Sequence, residues 1–184
     1  MEKNIQRCHW CNLNNELYLK YNDEEWGVPN YEDDKYLWEM LLLESFQAGL
    51  SWECILNKRE NFRLAFDNFD GQKISTYSET KITELMQNKA IIRNKLKIKS
   101  AVKNARIFLS ISKDYGSFSN YLKTFTDDKI IYENGKTTSP LSDAISKDLY
   151  KRGMRFIGST IIYSYLQAIG IINSHEECCY KYNR

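Results

Sequence analysis

The stretch Met40–Trp52, MLLLESFQAGLSW, constrains this chain more than any other. At helical spacing Leu37, Leu41, Glu44 and Ala48 share one stripe, so a carboxylate sits among apolar positions. A carboxylate in that place is either buried with a partner or lines a cavity. The alternative is a helix phased differently, with Glu44 at the water edge. The helical pattern stops at Gly49, and Leu50-Ser51-Trp52 follow at once. An acid on the inner face of a helix, beside a glycine break and a tryptophan, suits one wall of a pocket for a flat, polar ligand.

The rest of the chain reads as helical support. Two prolines and eight glycines favour helices over a loop-rich β fold. No strand alternation is sustained, so the fold class is all-α. The spacing predicts a short helix near 15–20 in an otherwise irregular segment 1–30, then helices over about Asp33–Ala48 and Trp52–Phe66. Ser78 can cap a short helix carrying Ile82, Leu85 and Met86. Ile98, Ala101, Val102, Ala105, Phe108 and Leu109 form the clearest amphipathic pattern. Further helices cover Phe118–Phe125, a segment opened by Pro140 and Ser142, and a last one through Ile161–Ile169 that Gly170 stops. Residues 126–139 read as a loop or small hairpin. At 184 residues the chain suits a single domain, 1–184, with a helical body over 31–170.

Several classes are disfavoured. No apolar run approaches the roughly 18 residues of a membrane span. The N-terminus lacks a signal-peptide h-region, and five cysteines do not look like a secreted disulfide framework. The expectation is a cytoplasmic, thiol-reduced monomer with no membrane partner. A net charge of +2 says little, but its distribution says more. Residues 22–39 are acidic, whereas 81–106 are basic and Lys147, Lys151, Arg152 and Arg155 form a second basic cluster. Such asymmetry suits a face for a polyanion; a solvated lysine face is the alternative.

Three constellations could carry chemistry. In Tyr150–Thr160, YKRGMRFIGST, a tight turn flanked by Gly153 and Gly158 joins two helices, with a hairpin at 150–160. Ser159 and Thr160 open the second helix, where free N–H groups and hydroxyls would meet an anion such as a DNA phosphate. Lys151, Arg152 and Arg155 flank it; an ordinary αα-hairpin with glycine caps is the alternative. Cys8, His9 and Cys11 near one end answer His175, Cys178 and Cys179 near the other, and the i, i+4 pair His175/Cys179 has a spacing used for zinc. Buried free thiols are the alternative. Finally Trp10, Tyr21, Trp26 and Trp52 lie in or near poorly periodic polar segments, which suits a pocket lining as well as a core.

Together these stretches resemble the bacterial 3-methyladenine DNA glycosylase I family, within the helix-hairpin-helix glycosylases. The carrying residues are Arg7-Cys8-His9-Trp10, Tyr21 to Pro29, Leu43 to Trp52, Ile91-Ile92-Arg93-Asn94, Ser142 to Lys147 and Lys151 to Gly158. The resemblance implies a helix-hairpin-helix glycosylase fold in which the terminal segments, 1–30 and 171–184, pack together, around a structural zinc where one is bound. It implies a monofunctional base-excision glycosylase acting on alkylated double-stranded DNA, with 3-methyladenine as product. Glu44 and Tyr21 would contact the edge of the extruded base, Trp52 would stack on it, and Trp10 and Trp26 would lie close by. Gly153, Arg155, Gly158, Ser159, Thr160 and Lys151 would hold DNA, and Leu50 is the candidate wedge for the vacated stack. Cys8, His175 and Cys179 match three family zinc ligands. The family's fourth is a histidine where this chain has Asn22, leaving His9 or Cys11 as alternatives; Ala90 stands where a glycine is expected. A non-catalytic DNA-binding module and a metal-stapled interaction protein are the rival classes.

Overall fold

The computed structural model describes residues 5–182. Helix α1 (Glu16–Glu24) is followed by α2 (Asp34–Gln47), and every residue of α2 from Leu37 to Phe46 is buried. A helix buried all round is the centre of a domain, not one of its faces. Asp33 caps α2, accepting from Lys35 N–H, as Asn15 caps α1. Two short helices, α3 (Trp52–Leu56) and α4 (Arg59–Ala65), replace the single helix expected over Trp52–Phe66. They break at Asn57-Lys58, which turns Arg59 and Arg63 back toward α2.

The ends of α5 (Gly71–Ser75) and α6 (Glu79–Gln87) lead into α7 (Lys95–Tyr115), which packs on α2, α5, α6 and the following α8 (Phe118–Thr126). Ser78 caps α6 as expected. Then α9 (Pro140–Lys151) and α10 (Ser159–Ala168) pack on one another, and α10 lies on α2. Ser139, not Ser142, is the N-cap of α9; Ser142 completes a capping box with it.

One further expectation fails locally. Tyr21 and Asn22 belong to α1, which runs a turn further than the short helix near 15–20. Of the loop and the small hairpin open for residues 126–139, the loop is what forms, and its short strand Ile131–Tyr132 pairs in parallel with Ile172–Asn173 across the α9–α10 connection. Parallel pairing needs such a crossover, and two-residue strands leave no alternation to read. The all-α class stands, and among the described residues no helix is long and apolar enough to cross a membrane.

The terminal segments lie together. Tyr180 N–H donates to Gln6 O at 2.9 Å, Gly27 N–H to Gln167 O at 2.9 Å and Asn30 N–H to Ile169 O at 3.0 Å. Gly170, which stops α10 at φ +77°, is pressed against this strap: a Cβ there would lie 2.3 Å from the Val28 backbone.

Candidate active site

Two carboxylates on α2 are buried, and their surroundings differ. Glu39 accepts from Arg59 Nε and Arg63 Nη2, each at 2.7 Å. Among the described residues Glu44, 1% exposed, has no cationic partner, and its Oε2 has no hydrogen-bond partner. Burial alone pushes its pKa well above 4.5, which favours the protonated form. The inward reading of Glu44 is the correct one, and a hollow lies beside it.

That hollow is a cavity of about 340 Å³ lined by Trp10, Tyr18, Tyr21, Trp26, Glu44, Gln47 and Trp52 from the first third of the chain. The rest of its wall comes from Asn134-Gly135-Lys136, Ser164, Gln167, Ser174 and Glu176. Its size is that of small-molecule sites. The Tyr21 ring tilts against Trp52 at 5.2 Å, and burial raises the pKa of its phenol well above the usual 10. Trp10 meets Trp26 edge-on at 4.6 Å. Gln47 Oε1, Trp52 Nε1 and Ser174 Oγ are, with Glu44 Oε2, buried polar atoms without partners. Four unsatisfied groups around one hollow are costly unless a polar ligand completes them. Gln47 was legible as the i+3 neighbour of Glu44. The 134–136 wall was not, because only the parallel strand pairing brings it there.

Behind Trp26 lies the cysteine–histidine cluster. Cys8 Sγ and Cys179 Sγ each stand 3.4 Å from His175 Nδ1, and the three atoms lie within 4.8 Å of one another. His175 Nε2 is 2.9 Å from the Trp26 carbonyl oxygen. Donation there leaves the Nδ1 lone pair facing the two sulfurs. Burial pushes the Cys8 thiol up to about 12. Asn22 is fully buried, both its amide atoms lack hydrogen-bond partners, and it is among the groups acting on Cys8. Two thiols, an imidazole and an orphaned amide fit a zinc-class divalent ion. Neither alternative fourth ligand is in place. The His9 ring is exposed and pairs with Glu176 at 2.9 Å, while Cys11 Sγ faces Tyr18 O at 3.7 Å.

The α9–α10 turn has Gly153 at φ +103° and Phe156 at φ +57°, with Met154 and Ile157 buried. Asn104 of α7 clamps it, accepting from Arg155 N–H at 3.0 Å and donating to Arg155 O at 2.9 Å. Gly158 has an ordinary φ of −58°, and a Cβ there would meet nothing within 4 Å. No internal need selects glycine at that position; an external group approaching the uncapped start of α10 would. Lys151, Arg155 and Thr160 are exposed around it. Ser159 departs from expectation: its hydroxyl turns inward to Asp143 and Ser142 instead of facing an anion. A carboxylate within reach of a hydroxyl donor captures it. Leu50, 41% exposed, stands on the loop after α2 beside Gly49 at φ +78°.

A sequence model of methyladenine glycosylases matches residues 10–182. The chain belongs to the methyladenine glycosylase family. DNA-3-methyladenine glycosylase 1 of Escherichia coli is 40% identical over 98% of this chain and 100% of its own length. A crystal structure of 3-methyladenine DNA glycosylase I superposes with a TM-score of 0.91 at 40% identity, covering 96% of this chain and 100% of the other. The 3-methyladenine DNA glycosylase I of Staphylococcus aureus, a structure described for 3-methyladenine recognition, gives 0.89 at 33% identity over 95% of each chain. Within this methyladenine glycosylase fold, the unpaired Glu44 faces the aromatic cavity.

Proposed function

We propose that this chain hydrolyses the N-glycosidic bond of 3-methyladenine in alkylated double-stranded DNA, releasing the base without cutting the strand. The observation that carries the reading is Glu44: a carboxyl buried on an all-buried helix, without a cation, facing a cavity walled by Tyr21 and Trp52. A binding module has no reason to bear that cost.

Methylation at N3 makes adenine cationic while it is attached to the sugar and neutral once released, so the leaving group needs little protonation. The protein must extract the base, recognise it and exclude uncharged purines. Trp52 and Tyr21 offer electron-rich faces that favour a cation, by about 0.5–2 kcal/mol when desolvated. The neutral Glu44 carboxyl presents one donor and one acceptor, the complement of the N7 acceptor and N6 amino donor on adenine's edge. Binding the cation too tightly would slow its departure. Edge recognition avoids that penalty.

The helix-hairpin-helix element is read as the α9–α10 turn, with Gly153, Gly158, Lys151, Arg155 and Thr160 on DNA phosphates and Leu50 filling the gap left by the flipped nucleotide. Cys8, His175 and Cys179 would hold a structural zinc ion, with Asn22 on the fourth side. Bound there, the ion would fasten the two terminal segments and so brace Trp26. The enzyme is read as a cytoplasmic monomer.

Incubation with methylated duplex DNA is expected to release 3-methyladenine as the free base and leave abasic sites. No release by the wild-type protein, or release with strand cleavage, refutes the reading.

A further inference from the structure

Lys97 lies in the first turn of α7, 6% exposed, and no role in base recognition accounts for it. Among the described residues it has no carboxylate partner. Its ammonium instead donates to Phe46 O at 2.8 Å and Ala48 O at 2.6 Å, at the C-terminal end of the Glu44 helix. It also stands 5.8 Å from the ring of Phe156, inside the α9–α10 turn. Carbonyls at a helix end lack intrahelical partners and carry partial negative charge, so a cation suits them. Yet the α2 terminus already has its own turn, with Gly49 at φ +78° and Leu50 N–H on Gln47 O at 2.6 Å. Burying an ammonium costs more than leaving those carbonyls to water.

Seven residues further along, on the same face of α7, Asn104 holds both backbone groups of Arg155. One helix therefore grips the Ala48–Ser51 loop at Lys97 and the phosphate-facing turn at Asn104, with Phe156 between. We propose that Lys97 is a positioning residue for base extrusion. It fixes the loop that carries Leu50 relative to the Gly153–Gly158 turn, so that DNA held by the turn meets the wedge at a set distance. The inference rests on the glycosylase reading above and adds the part that couples DNA grip to base flipping.

The test compares Lys97→Met with wild type in single turnover on a paired duplex, and in binding of free 3-methyladenine read by tryptophan fluorescence. The variant is expected to lose roughly 10- to 100-fold in rate, the scale of a misplacement near 1 Å. Free-base affinity is expected to stay within about twofold, and the rate to recover when the lesion faces an unpaired gap, where extrusion costs less. Lys97→Gln keeps one donor for the carbonyls, guards against a folding defect, and should show the same selective loss at smaller amplitude. An unchanged rate on paired duplex overturns the proposal. So does a rate loss matched by free-base affinity, or one that persists opposite the gap. Absence of base release by the wild type would instead strike the glycosylase reading itself.

Discussion

His175 and Trp26 join the terminal cluster to the cavity: the imidazole Nε2 meets the Trp26 carbonyl at 2.9 Å while the two rings sit edge-on at 4.7 Å. The same tryptophan lines the hollow beside Glu44. Stripping metal with a chelator is therefore expected to loosen a pocket wall as well as the termini. A fall in Tm of roughly 5–10 °C, with a shift in tryptophan emission, corresponds to a few kcal/mol in a chain of this size. Calorimetry and emission spectra on stripped and zinc-reloaded protein check it; identical curves would argue that nothing is held there.

Asn22 offers an amide where a softer donor would bind zinc more tightly. Asn22→His is expected to raise metal affinity by about tenfold or more, and Asn22→Leu to lower it. Competition with a chromophoric chelator reads both. Equal affinities in the three proteins would place Asn22 outside the coordination sphere.

The two buried carboxylates of α2 should respond in opposite ways. Glu39→Ala takes the buried acceptor from Arg59 and Arg63, which keep Glu25 and Glu60, and should cost about 1.5–3 kcal/mol. Glu44→Gln removes only an unpaired acid and should leave stability equal or higher at neutral pH. Denaturant unfolding of the two variants decides, and a large loss in Glu44→Gln would mean that a partner for Glu44 exists in the folded protein.

The pH dependence follows in sign. Glu44's folded pKa lies above its unfolded value near 4.5, so the folded state keeps a proton that the unfolded state loses. Its contribution is fully present below pH 4.5 and is lost as pH rises toward the folded pKa. Wild-type stability relative to Glu44→Gln should therefore fall on going up from pH 4.5 and then level off. Free 3-methyladenine binding by wild type should hold level with that of Glu44→Gln through this window and weaken relative to it only as pH rises through the folded pKa, where the acid form that grips N7 is lost. A flat difference from pH 4 to 9 would contradict the buried-acid assignment.

DNA contacts separate by side chain. Arg155→Ala and Lys151→Ala should each lower affinity evenly across sequences and reduce the salt slope by about one. Ser159→Ala should change neither, because Asp143 and Ser142 already occupy that hydroxyl. Fluorescence anisotropy over a salt series measures all three; a loss confined to particular sequences would contradict backbone gripping.

Much was legible in the residues themselves. Ser78, Pro140, Gly153 and Gly170 marked helix ends by local chemistry, and the E-x-x-x-A-G-L-S-W run with the glycine turn pointed to the family. Legibility ended where distant elements decide. Gly27 and Pro29 make the segment around Tyr21 and Asn22 look irregular, yet Asn15 caps a helix that reaches Glu24. Ser159 has the residue type of an anion contact, and residue type cannot reveal that Asp143 lies within reach.

The sequence alone determined that α2 exists, where it ends and that it carries acids amid apolar residues. It could not say which acid is satisfied, because a helix buried on every side has no polar face and so no phase to read. Glu39 meets arginines from α4, some twenty residues on, and Glu44 meets a hollow closed by a loop about ninety residues away. Local propensity sets a helix's length; the partners of its buried charges depend on contacts that only packing brings together, and here that difference separates an ion pair from a binding site.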